Sequence, residues 1–366
     1  MEGLVKINLL KDFYKDKKIL LTGHTGFIGS WLAILLNELG SKLVGYALPP
    51  LTAADNFAVS NLEEKLINIM GDVRDFDKLN LIVKKHQPEI IFHLAAQPIV
   101  TNSYLKPKET FDINVGGTVN IIESFRRNND CKLLINCTTD KVYENLELNR
   151  GYKEDDRLGG FDPYSSSKAC SEIVTSSYRD AFFNSKKTLT AKLVSSVRCG
   201  NVIGGGDWQE HRLLPDCMRA IKENQEIIIR NPTYVRPWQY VLEPIRGFLK
   251  LAIKMWENGE KFIGGWNFGP NNKSIFSVKD IVEKVIKSYG KGSYSVETPY
   301  NTKKIHETKT LLLDSTKAFK FLEWEPEISI DESIQFICDW YKEENVNYDF
   351  NVKLISDYFK LIKKPD

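Results

Sequence analysis

The chain has 366 residues, 42% hydrophobic and 27% charged, which is typical of a globular protein of about two domains. Its 50 basic and 48 acidic side chains leave a net charge of +2, which excludes a strongly basic surface for nucleic acid. No apolar run approaches the roughly 20 residues that span a bilayer, and the first residues lack the apolar core of a signal peptide. We therefore expect no nucleic-acid or membrane partner and a cytoplasmic location.

The first half of the chain alternates short β-branched runs with longer amphipathic patterns. Strands are predicted in KKILLTG, KLVGYAL, INIMGD, EIIFHLA, CKLLINC and TAKLVSSVR. Helices are predicted in FIGSWLAILLNELG, from about Asp75 to Lys85, around FDINVGGTVNIIESFRR, and from about Tyr164 to Asn184. This alternation indicates a parallel sheet covered by helices on both faces, and right-handed crossovers make it doubly wound.

A glycine triplet stands where the first strand meets the first helix. The segment LLTGHTGFIGSWLA places Gly23, Gly26 and Gly29 at the spacing G-x-x-G-x-x-G. Such glycines allow a tight turn and a close backbone approach, so that a dinucleotide pyrophosphate can bind at the helix N-terminus. Simple helix-strand packing is the alternative, but the position after the first strand favours nucleotide binding.

The remaining cofactor contacts follow from the predicted sheet order. After the third strand, Asp72 and Val73 are expected near the adenine, and after the fourth, Ala95 and Ala96 near the middle of the cofactor. The acidic ribose ligand that often ends the second strand is missing from VGYALPP. The choice between NAD and NADP therefore stays open.

These features predict an α/β protein with a Rossmann-type doubly wound parallel sheet and a smaller C-terminal substrate-binding lobe. After Arg198 the pattern loosens into glycine-rich loops and short elements. We expect residues 1–197 to form the dinucleotide-binding domain, with 239–266 returning to it, and residues 198–238 and 267–366 to form the lobe. The six cysteines have no metal spacing, so we predict no metal site and reduced core thiols.

The segment FDPYSSSKACSE opens the long helix, with Asp162 as N-cap and Pro163 at the first position. Tyr164 and Lys168 then share one helix face. A nearby ammonium favours tyrosinate, so the pair can provide a general base for a sugar hydroxyl, whereas a buried tyrosine bonded to the lysine is the alternative. The same spacing recurs in pairs that we predict to be solvated: Tyr14 with Lys18, Tyr104 with Lys108, and Tyr300 with Lys304.

Three polar residues, Thr139, Asp140 and Lys141, follow the apolar run KLLI in the segment NCTTDKVY. In a regular strand, successive side chains point to opposite faces, so these three could not share a site. The strand is therefore predicted to end there. Ligands of open α/β sheets bind beyond the carboxyl ends of the strands, where the three side chains can turn toward one substrate.

These motifs together resemble the extended short-chain dehydrogenase/reductase family of nucleotide-sugar enzymes over nearly the whole chain. Within it, GNVIGGGDW and RPWQYV are similar to segments of CDP-glucose 4,6-dehydratases. The resemblance implies NAD as cofactor, a nucleotide sugar (CDP-glucose) as substrate, and a homodimer or homotetramer. It implies a cofactor site formed by Gly23, Thr25, Gly26, Phe27, Ile28, Gly29, Asp72, Val73, Ala95, Ala96, Tyr164 and Lys168.

By matched position, the resemblance also implies catalytic roles. Thr139 would hydrogen-bond the sugar C4 oxygen, and Tyr164, supported by Lys168, would remove its proton as hydride moves to NAD. Asp140 would act as the acid at the C6 hydroxyl, and Lys141 stands where many relatives carry a glutamate as the C5 base. Because free lysine titrates at about 10.4, Lys141 could instead orient a water and stabilise the enolate. Water loss and hydride return to C6 make the reaction a lyase reaction.

The resemblance places Asn201 and Arg236 at the substrate diphosphate, with Arg212 and His306 as neighbours and Gln97 as a further substrate contact. Arginine suits a diphosphate because its fork donates two hydrogen bonds at once. For Arg212 and His306, a solvated surface position is an equally open alternative.

Other functions remain open on the same motifs. A sibling enzyme could dehydrate another sugar nucleotide. A 4-epimerase needs only Tyr164, Lys168 and a threonine, so the Asp140-Lys141 pair counts against it. A noncatalytic nucleotide-binding protein is a third alternative, because a fold alone does not fix function.

Overall fold

The computed structural model describes residues 2–183, 192–270, 275–297 and 311–362. Its strands are β1 (Lys18–Thr22), β2 (Lys42–Ala47), β3 (Ile67–Met70), β4 (Ile90–His93), β5 (Leu133–Cys137), β6 (Leu193–Arg198), β7 (Val202–Ile203), β8 (Ile227–Ile229), β9 (Val235–Pro237), β10 (Gln239–Tyr240), β11 (Gly264–Asn267), β12 (Ile275–Ser277) and β13 (Tyr294–Val296).

Helices alternate with these strands. They are α1 (Glu2–Tyr14), α2 (Phe27–Glu38), α3 (Asn56–Val59), α4 (Phe76–His86), α5 (Val100–Leu105), α6 (Pro107–Phe111), α7 (Gly117–Arg127), α8 (Pro163–Phe182), α9 (Leu213–Lys222), α10 (Leu242–Asn258), α11 (Val278–Tyr289), α12 (Thr316–Leu322), α13 (Ile330–Lys342) and α14 (Tyr348–Leu361). A π-helical segment, Asp112–Gly116, joins α6 to α7.

A seven-stranded parallel sheet forms the centre of the molecule, in the order β3-β2-β1-β4-β5-β6-β11. Alternate residues of β1 enter different cores: Leu21 packs with α2 and α10, whereas Leu20 packs with α4 and α7. A parallel sheet buried on both faces needs near-continuous apolar strands, which is what the sequence supplies. The predicted doubly wound α/β fold is confirmed.

The predicted strands and helices of the first half all form, and the structure adds further helices to them. Helix α1, which was not predicted, packs against α14 and α10. The expectation that Tyr14 is solvated is wrong, because its side chain is buried and its hydroxyl donates to Leu249 O over 2.9 Å. That partner lies 235 residues away, beyond the reach of a local pattern. The Tyr300–Lys304 pair lies outside the described residues.

Short strand pairs characterise the region after β6. Strands β7 and β10, and β8 and β13, pair in parallel, whereas β9 and β12 pair antiparallel. Strand β11 returns to the central sheet beside β6, which is consistent with the predicted return of residues 239–266; the domain boundaries themselves stay a prediction. Five cysteines are buried and Cys170 is half-buried, and all six are free thiols. Among the described helices, none has the length and hydropathy of a membrane span.

Candidate active site

The glycine loop between β1 and α2 is held closed by its own backbone. Gly23 has φ +77°, and its N–H donates to Tyr46 O over 3.0 Å. A Cβ on Gly23 would lie 2.7 Å from Ala95 N, and one on Gly29 would lie 2.0 Å from Gly23 O. Gly26 is the N-cap of α2 and offers no side-chain cap. The positive end of α2 is therefore left to a ligand, as a pyrophosphate site requires.

The other predicted residues of this loop support its shape. Thr25 donates from Oγ1 to Leu48 O over 2.8 Å, which ties the loop to the end of β2. Phe27 and Ile28 open α2 and pack partly against the large core. The ring of Phe27 also meets the glycine-rich loop after β7, since a Cβ on Gly204 would lie 2.9 Å from Phe27 Cζ.

The predicted adenine residues are engaged by protein groups. Arg74 Nη2 donates to Asp72 Oδ2 over 2.6 Å, and its hydrogen bonds hold the pKa of the Asp72 carboxyl below the usual value. Val73 is buried, and its carbonyl accepts from Asn120 Nδ2 over 2.9 Å. A Cβ on Gly117 would lie 2.7 Å from Val73 Cγ2, so α7 packs closely on this turn. Their contact with adenine stays a prediction.

After β4, Ala95 and Ala96 are half-buried beside the glycine loop. The side chain of the next residue, Gln97, is already used at both ends: Nε2 donates to Thr110 Oγ1 over 3.0 Å, and Oε1 accepts from Ile99 N over 2.6 Å. These bonds shape the loop that follows. A substrate contact by Gln97 would require one of them to be exchanged.

The polar triplet leaves the pleat of β5 as the sequence predicts. Strand β5 ends at Cys137, and Thr139 becomes the N-cap of a 3-10 turn, Asp140–Val142. Thr139 Oγ1 donates to Asp140 Oδ1 over 2.9 Å and accepts from Lys141 N over 3.4 Å. Three consecutive residues are thereby gathered on one turn beyond the carboxyl end of the sheet, where ligands of such folds bind.

Asp140 is a buried carboxyl whose Oδ2 has no hydrogen-bond partner within the described residues. Burial raises the pKa of Asp140, against the opposing effects of Lys141, the Thr139 hydrogen bond and the charge of Arg236. A carboxyl that keeps its proton is suited to act as a general acid.

Helix α8 begins as predicted, with Asp162 Oδ1 accepting from Ser165 N over 2.9 Å and Pro163 in the first turn. Lys168 is buried, and its Nζ donates to Cys137 O over 3.0 Å. Burial lowers the pKa of Lys168 and raises that of Tyr164. The expected lowering of the Tyr164 pKa is therefore not produced by the protein alone, because desolvation disfavours the phenolate.

Two groups oppose the effect of burial on Tyr164. The hydrogen bond with Thr139 and the positive charge of Arg212 each lower its pKa. Tyr164 and the polar triplet therefore face each other across the end of β5. The candidate base, Tyr164, and the candidate acid, Asp140, therefore belong to the same site.

Of the predicted diphosphate residues, two arginines act on this site. Arg212 Nη1 donates to Asp207 Oδ2 over 2.9 Å, and its charge reaches Tyr164. Arg236 lies on β9, and its charge reaches Asp140. The Arg212 side chain is 33% exposed and is paired with Asp207, and its diphosphate role stays a prediction.

The structure says less about the two other predicted substrate residues, Asn201 and His306. Asn201 has φ +47° in the loop after β6, and its carbonyl accepts from Gln239 N over 3.2 Å. His306 lies outside the described residues. The diphosphate role of both stays a prediction.

Sequence reasoning missed a buried ion pair beside this site. Glu172 follows Lys168 by one turn of α8, and Arg198 ends β6; their side chains are joined by two hydrogen bonds of 2.9 and 3.1 Å. A usable signal existed, because a charged residue on a predicted buried face needs a partner. The pattern did not say which residue that partner was.

The sequence is similar to those of known proteins, which identifies the family of the chain. The model of the GDP-mannose 4,6 dehydratase family matches residues 20–337. A CDP-glucose 4,6-dehydratase of Salmonella typhimurium is 42% identical over 333 residues, covering 91% of this chain and 92% of the relative. The chain belongs to the GDP-mannose 4,6 dehydratase family. Its predicted place among the extended short-chain dehydrogenase/reductases is confirmed.

Solved structures of nucleotide-sugar dehydratases and epimerases show the same fold. A dTDP-glucose 4,6-dehydratase from Bacillus anthracis in complex with NAD superposes with a TM-score of 0.71 at 23% identity, covering 90% of this chain and 97% of that one. A UDP-glucose 4-epimerase from Thermotoga maritima with UDP-glucose gives a TM-score of 0.74 at 22% identity, covering 88% and 98%. At these identities the likeness concerns the fold, and the activity has to be argued from the site.

Proposed function

We propose that the protein is an NAD-dependent CDP-glucose 4,6-dehydratase that forms CDP-4-keto-6-deoxy-D-glucose. The carrying observation is the buried Asp140 carboxyl, with its raised pKa, on the turn that also carries Lys141 and faces Tyr164. A dehydratase needs an acid for the leaving hydroxyl and a base for C5 in addition to the C4 machinery. The name of the Salmonella relative, at 42% identity, supports the same reaction.

The residues of the glycine loop fit a dinucleotide. Gly26 leaves the N-terminus of α2 without a side-chain cap, and Gly23 takes a backbone conformation that favours glycine. These groups would hold the pyrophosphate. Bound NAD would supply reversible hydride acceptance from C4, and the complexes of structural neighbours with NAD support this cofactor.

The first chemical task of the protein is to take the C4 hydroxyl proton. Thr139 and Tyr164 are in hydrogen-bonding contact, so a C4 oxygen placed between them would meet both hydroxyls. Tyr164 would accept the proton in its phenolate form, which the Thr139 hydrogen bond and the charge of Arg212 favour, and Lys168 would keep that end of α8 in place through Cys137 O. Hydride leaves C4 in the same step, so the carbon becomes a ketone.

The second task is elimination across C5 and C6. The C4 ketone acidifies the C5 proton, which Lys141 or a water oriented by it would remove, while Asp140 would protonate the departing C6 hydroxyl. One water would leave, and bound NAD would supply the hydride for C6 while C5 gains a proton. The cofactor is regenerated, so the net reaction is that of a hydro-lyase.

The diphosphate would be bound by Arg236 and Arg212, together with Asn201. Both arginines bring positive charge to the reacting groups, and Asp207 fixes the direction of Arg212. A bidentate guanidinium is well suited to a diphosphate. The preference for cytidine is supported by the Salmonella relative.

The direct test is incubation of the purified protein with NAD and CDP-glucose, followed by mass spectrometry of the nucleotide sugar. A product lighter by one water is expected. Parallel reactions with dTDP-, UDP- and GDP-glucose test the preference for the nucleotide of the substrate. Parallel reactions with NADP test the preference for the cofactor. Unchanged CDP-glucose at high enzyme concentration would contradict the proposal.

A related dehydratase for another sugar nucleotide is the second candidate, and faster turnover of a different nucleotide would identify it. A 4-epimerase would interconvert CDP-glucose and CDP-galactose without losing water.

A homodimer or homotetramer is also proposed, supported by apolar side chains exposed along α8 at Ile173 and Phe182. Light scattering after size-exclusion chromatography measures that mass.

A further inference from the structure

The buried ion pair between Glu172 and Arg198 lies one layer behind the reacting groups. Arg198 Nε donates to Glu172 Oε1 over 2.9 Å, and Nη2 donates to Oε2 over 3.1 Å. Both side chains are at most 5% exposed. Burial alone would raise the pKa of Glu172, but Arg198 and the hydrogen bonds bring it below the usual value, so the pair is ionised. Bidentate pairs of this kind fix direction as well as distance.

The carboxylate of Glu172 also holds the residue before the polar triplet. Thr138 Oγ1 donates to Glu172 Oε1 over 2.6 Å, and Ser196 of β6 donates to Oε2. Thr138 is the residue between the end of β5 and the N-cap Thr139. The start of the 3-10 turn is therefore bonded directly to the helix that carries Tyr164.

The guanidinium of Arg198 holds Tyr143, the residue directly after the 3-10 turn Asp140–Val142. Its Nη1 donates to Tyr143 Oη over 2.6 Å and to Glu154 O over 3.0 Å. Tyr143 in turn donates to Asn267 Oδ1 over 2.7 Å, at the end of β11. A Cβ on Gly265 would lie 2.7 Å from Arg198 Nη2, so β11 packs closely against the guanidinium.

Thr138 and Tyr143 bracket the three residues that carry the proposed chemistry, and each is bonded to one member of the same pair. We propose that Glu172 and Arg198 are positioning residues that hold the 3-10 turn of Asp140 and Lys141 in register with Tyr164 on α8. This proposal rests on the proposed dehydratase function for its kinetic consequence. The geometric consequence, a turn held at both ends, is independent of the substrate.

A purely structural role is the competing explanation, since loss of one partner of any buried pair leaves an uncompensated charge. The chain offers a matched control. Glu243 and Arg246 of α10 form a second buried pair, with Arg246 Nη2 at 3.0 Å from Glu243 Oε2, bonded to Tyr358 rather than to the active site. Glu172→Gln and Glu243→Gln each remove one buried carboxylate that is bonded to an arginine, although Arg246 keeps a second carboxylate, Glu327 Oε1, at 2.8 Å.

The first measurement is hydrogen–deuterium exchange of the apo protein. Asp140 N donates to Cys199 O over 3.2 Å, and loosening of the turn exposes such amides. We expect Glu172→Gln to speed exchange in peptides covering 138–143, whereas Glu243→Gln leaves those peptides at the wild-type rate. Equal protection of this segment in both variants would overturn the proposal whatever the substrate proves to be.

The second measurement is the steady-state rate, once wild-type turnover of CDP-glucose has been established. For Glu172→Gln we expect kcat per folded molecule to fall about 10- to 100-fold, with KM within about threefold, because misplacement by about 1 Å has that effect on a reacting group. Glu243→Gln should keep its kcat and lose only thermal stability. No turnover by the wild type would instead contradict the proposed function, and the exchange result would still stand.

Gentler variants protect the test if Glu172→Gln fails to fold. Thr138→Val removes a hydroxyl at the start of the turn, and Tyr143→Phe removes one at its end. Both variants leave the ion pair intact. Each should lower kcat by about tenfold and raise exchange in the same segment, in line with the loss of one buried hydrogen bond. Wild-type kcat and protection in both variants would overturn the proposal.

Discussion

Gly200 lies directly against the carboxyl group of Asp140: a Cβ at position 200 would come within 1.9 Å of Asp140 Oδ2. The loop after β6 thus defines the space that the candidate acid occupies. Because Oδ2 is buried, the carboxyl cannot move into solvent to avoid a methyl group.

Substitution Gly200→Ala is therefore expected to displace the Asp140 carboxyl and lower kcat by about 100-fold, the effect of a displacement of about 1 Å. Gly116→Ala is the control, since a Cβ at Gly116 meets nothing within 4 Å. Steady-state kinetics with CDP-glucose measure the difference. A wild-type kcat in Gly200→Ala would show that the acid does not depend on this contact.

Asp140→Asn should stabilise the protein at neutral pH while abolishing water loss. Burial raises the pKa of Asp140 in the folded protein, so the folded state binds this proton more tightly than the unfolded chain. The stability of the wild type therefore falls as the pH rises from the unfolded value of about 3.9 through the raised folded value. A side chain that cannot ionise escapes this loss.

Thermal unfolding at several pH values tests this sign. We expect Asp140→Asn to have a higher Tm than the wild type at neutral pH, with the difference shrinking toward about pH 4. Asp180→Asn, at a largely exposed carboxyl, is the control for the loss of one acidic side chain. A wild type that is more stable than Asp140→Asn at neutral pH would contradict the argument.

Tyr164→Phe should remove the C4 base. General-base catalysis contributes about 10²- to 10⁴-fold, so we expect kcat to fall by that range, with KM for the sugar nucleotide nearly unchanged. Tyr178→Phe removes a hydroxyl from the same helix, about four turns further on, and should keep the wild-type rate. If Tyr164→Phe turns over CDP-glucose at more than a tenth of the wild-type rate, another group takes the C4 proton.

Local patterns were sufficient to predict the sheet and part of the site. The glycine loop, the start of α8 at Asp162 and the end of β5 before Thr139 are each set by a few adjacent residues, and all three form as expected. Periodicity and capping act over one or two turns, which is the range that a single sequence reveals.

Contacts between distant segments could not be predicted in this way. Thr138 meets Glu172 34 residues away, and Arg198 meets Tyr143 55 residues away, across three different elements. The sequence places Glu172 on a predicted helix and Arg198 at the end of a predicted strand, but it does not show that they are partners. The pKa of Tyr164 could not be predicted locally either. The sequence shows that Tyr164 and Lys168 are four residues apart on one helix, but the burial that raises the Tyr164 pKa depends on the packed structure.

Lys141 is expected to act in the elimination half of the reaction alone. It lies on the turn with Asp140, and its charge opposes the effect of burial on the pKa of that carboxyl. In the proposed mechanism, Thr139 and Tyr164 would make the C4 contacts without it. Lys141→Met should therefore still oxidise C4, whereas water loss should slow by about 100-fold, within the usual range for a general base.

C5-deuterated CDP-glucose separates the two halves, because release of deuterium to solvent reports C5 proton removal and the product mass reports water loss. Lys153→Met, at an exposed lysine of the following loop, is the control and should behave as the wild type. Lys141→Arg then distinguishes the two roles: arginine keeps the charge but cannot be deprotonated in a protein. Deuterium release lost in Lys141→Arg identifies Lys141 as the base, whereas partial release identifies a charge that stabilises the enolate. Water loss at the native rate in Lys141→Met would remove Lys141 from the mechanism.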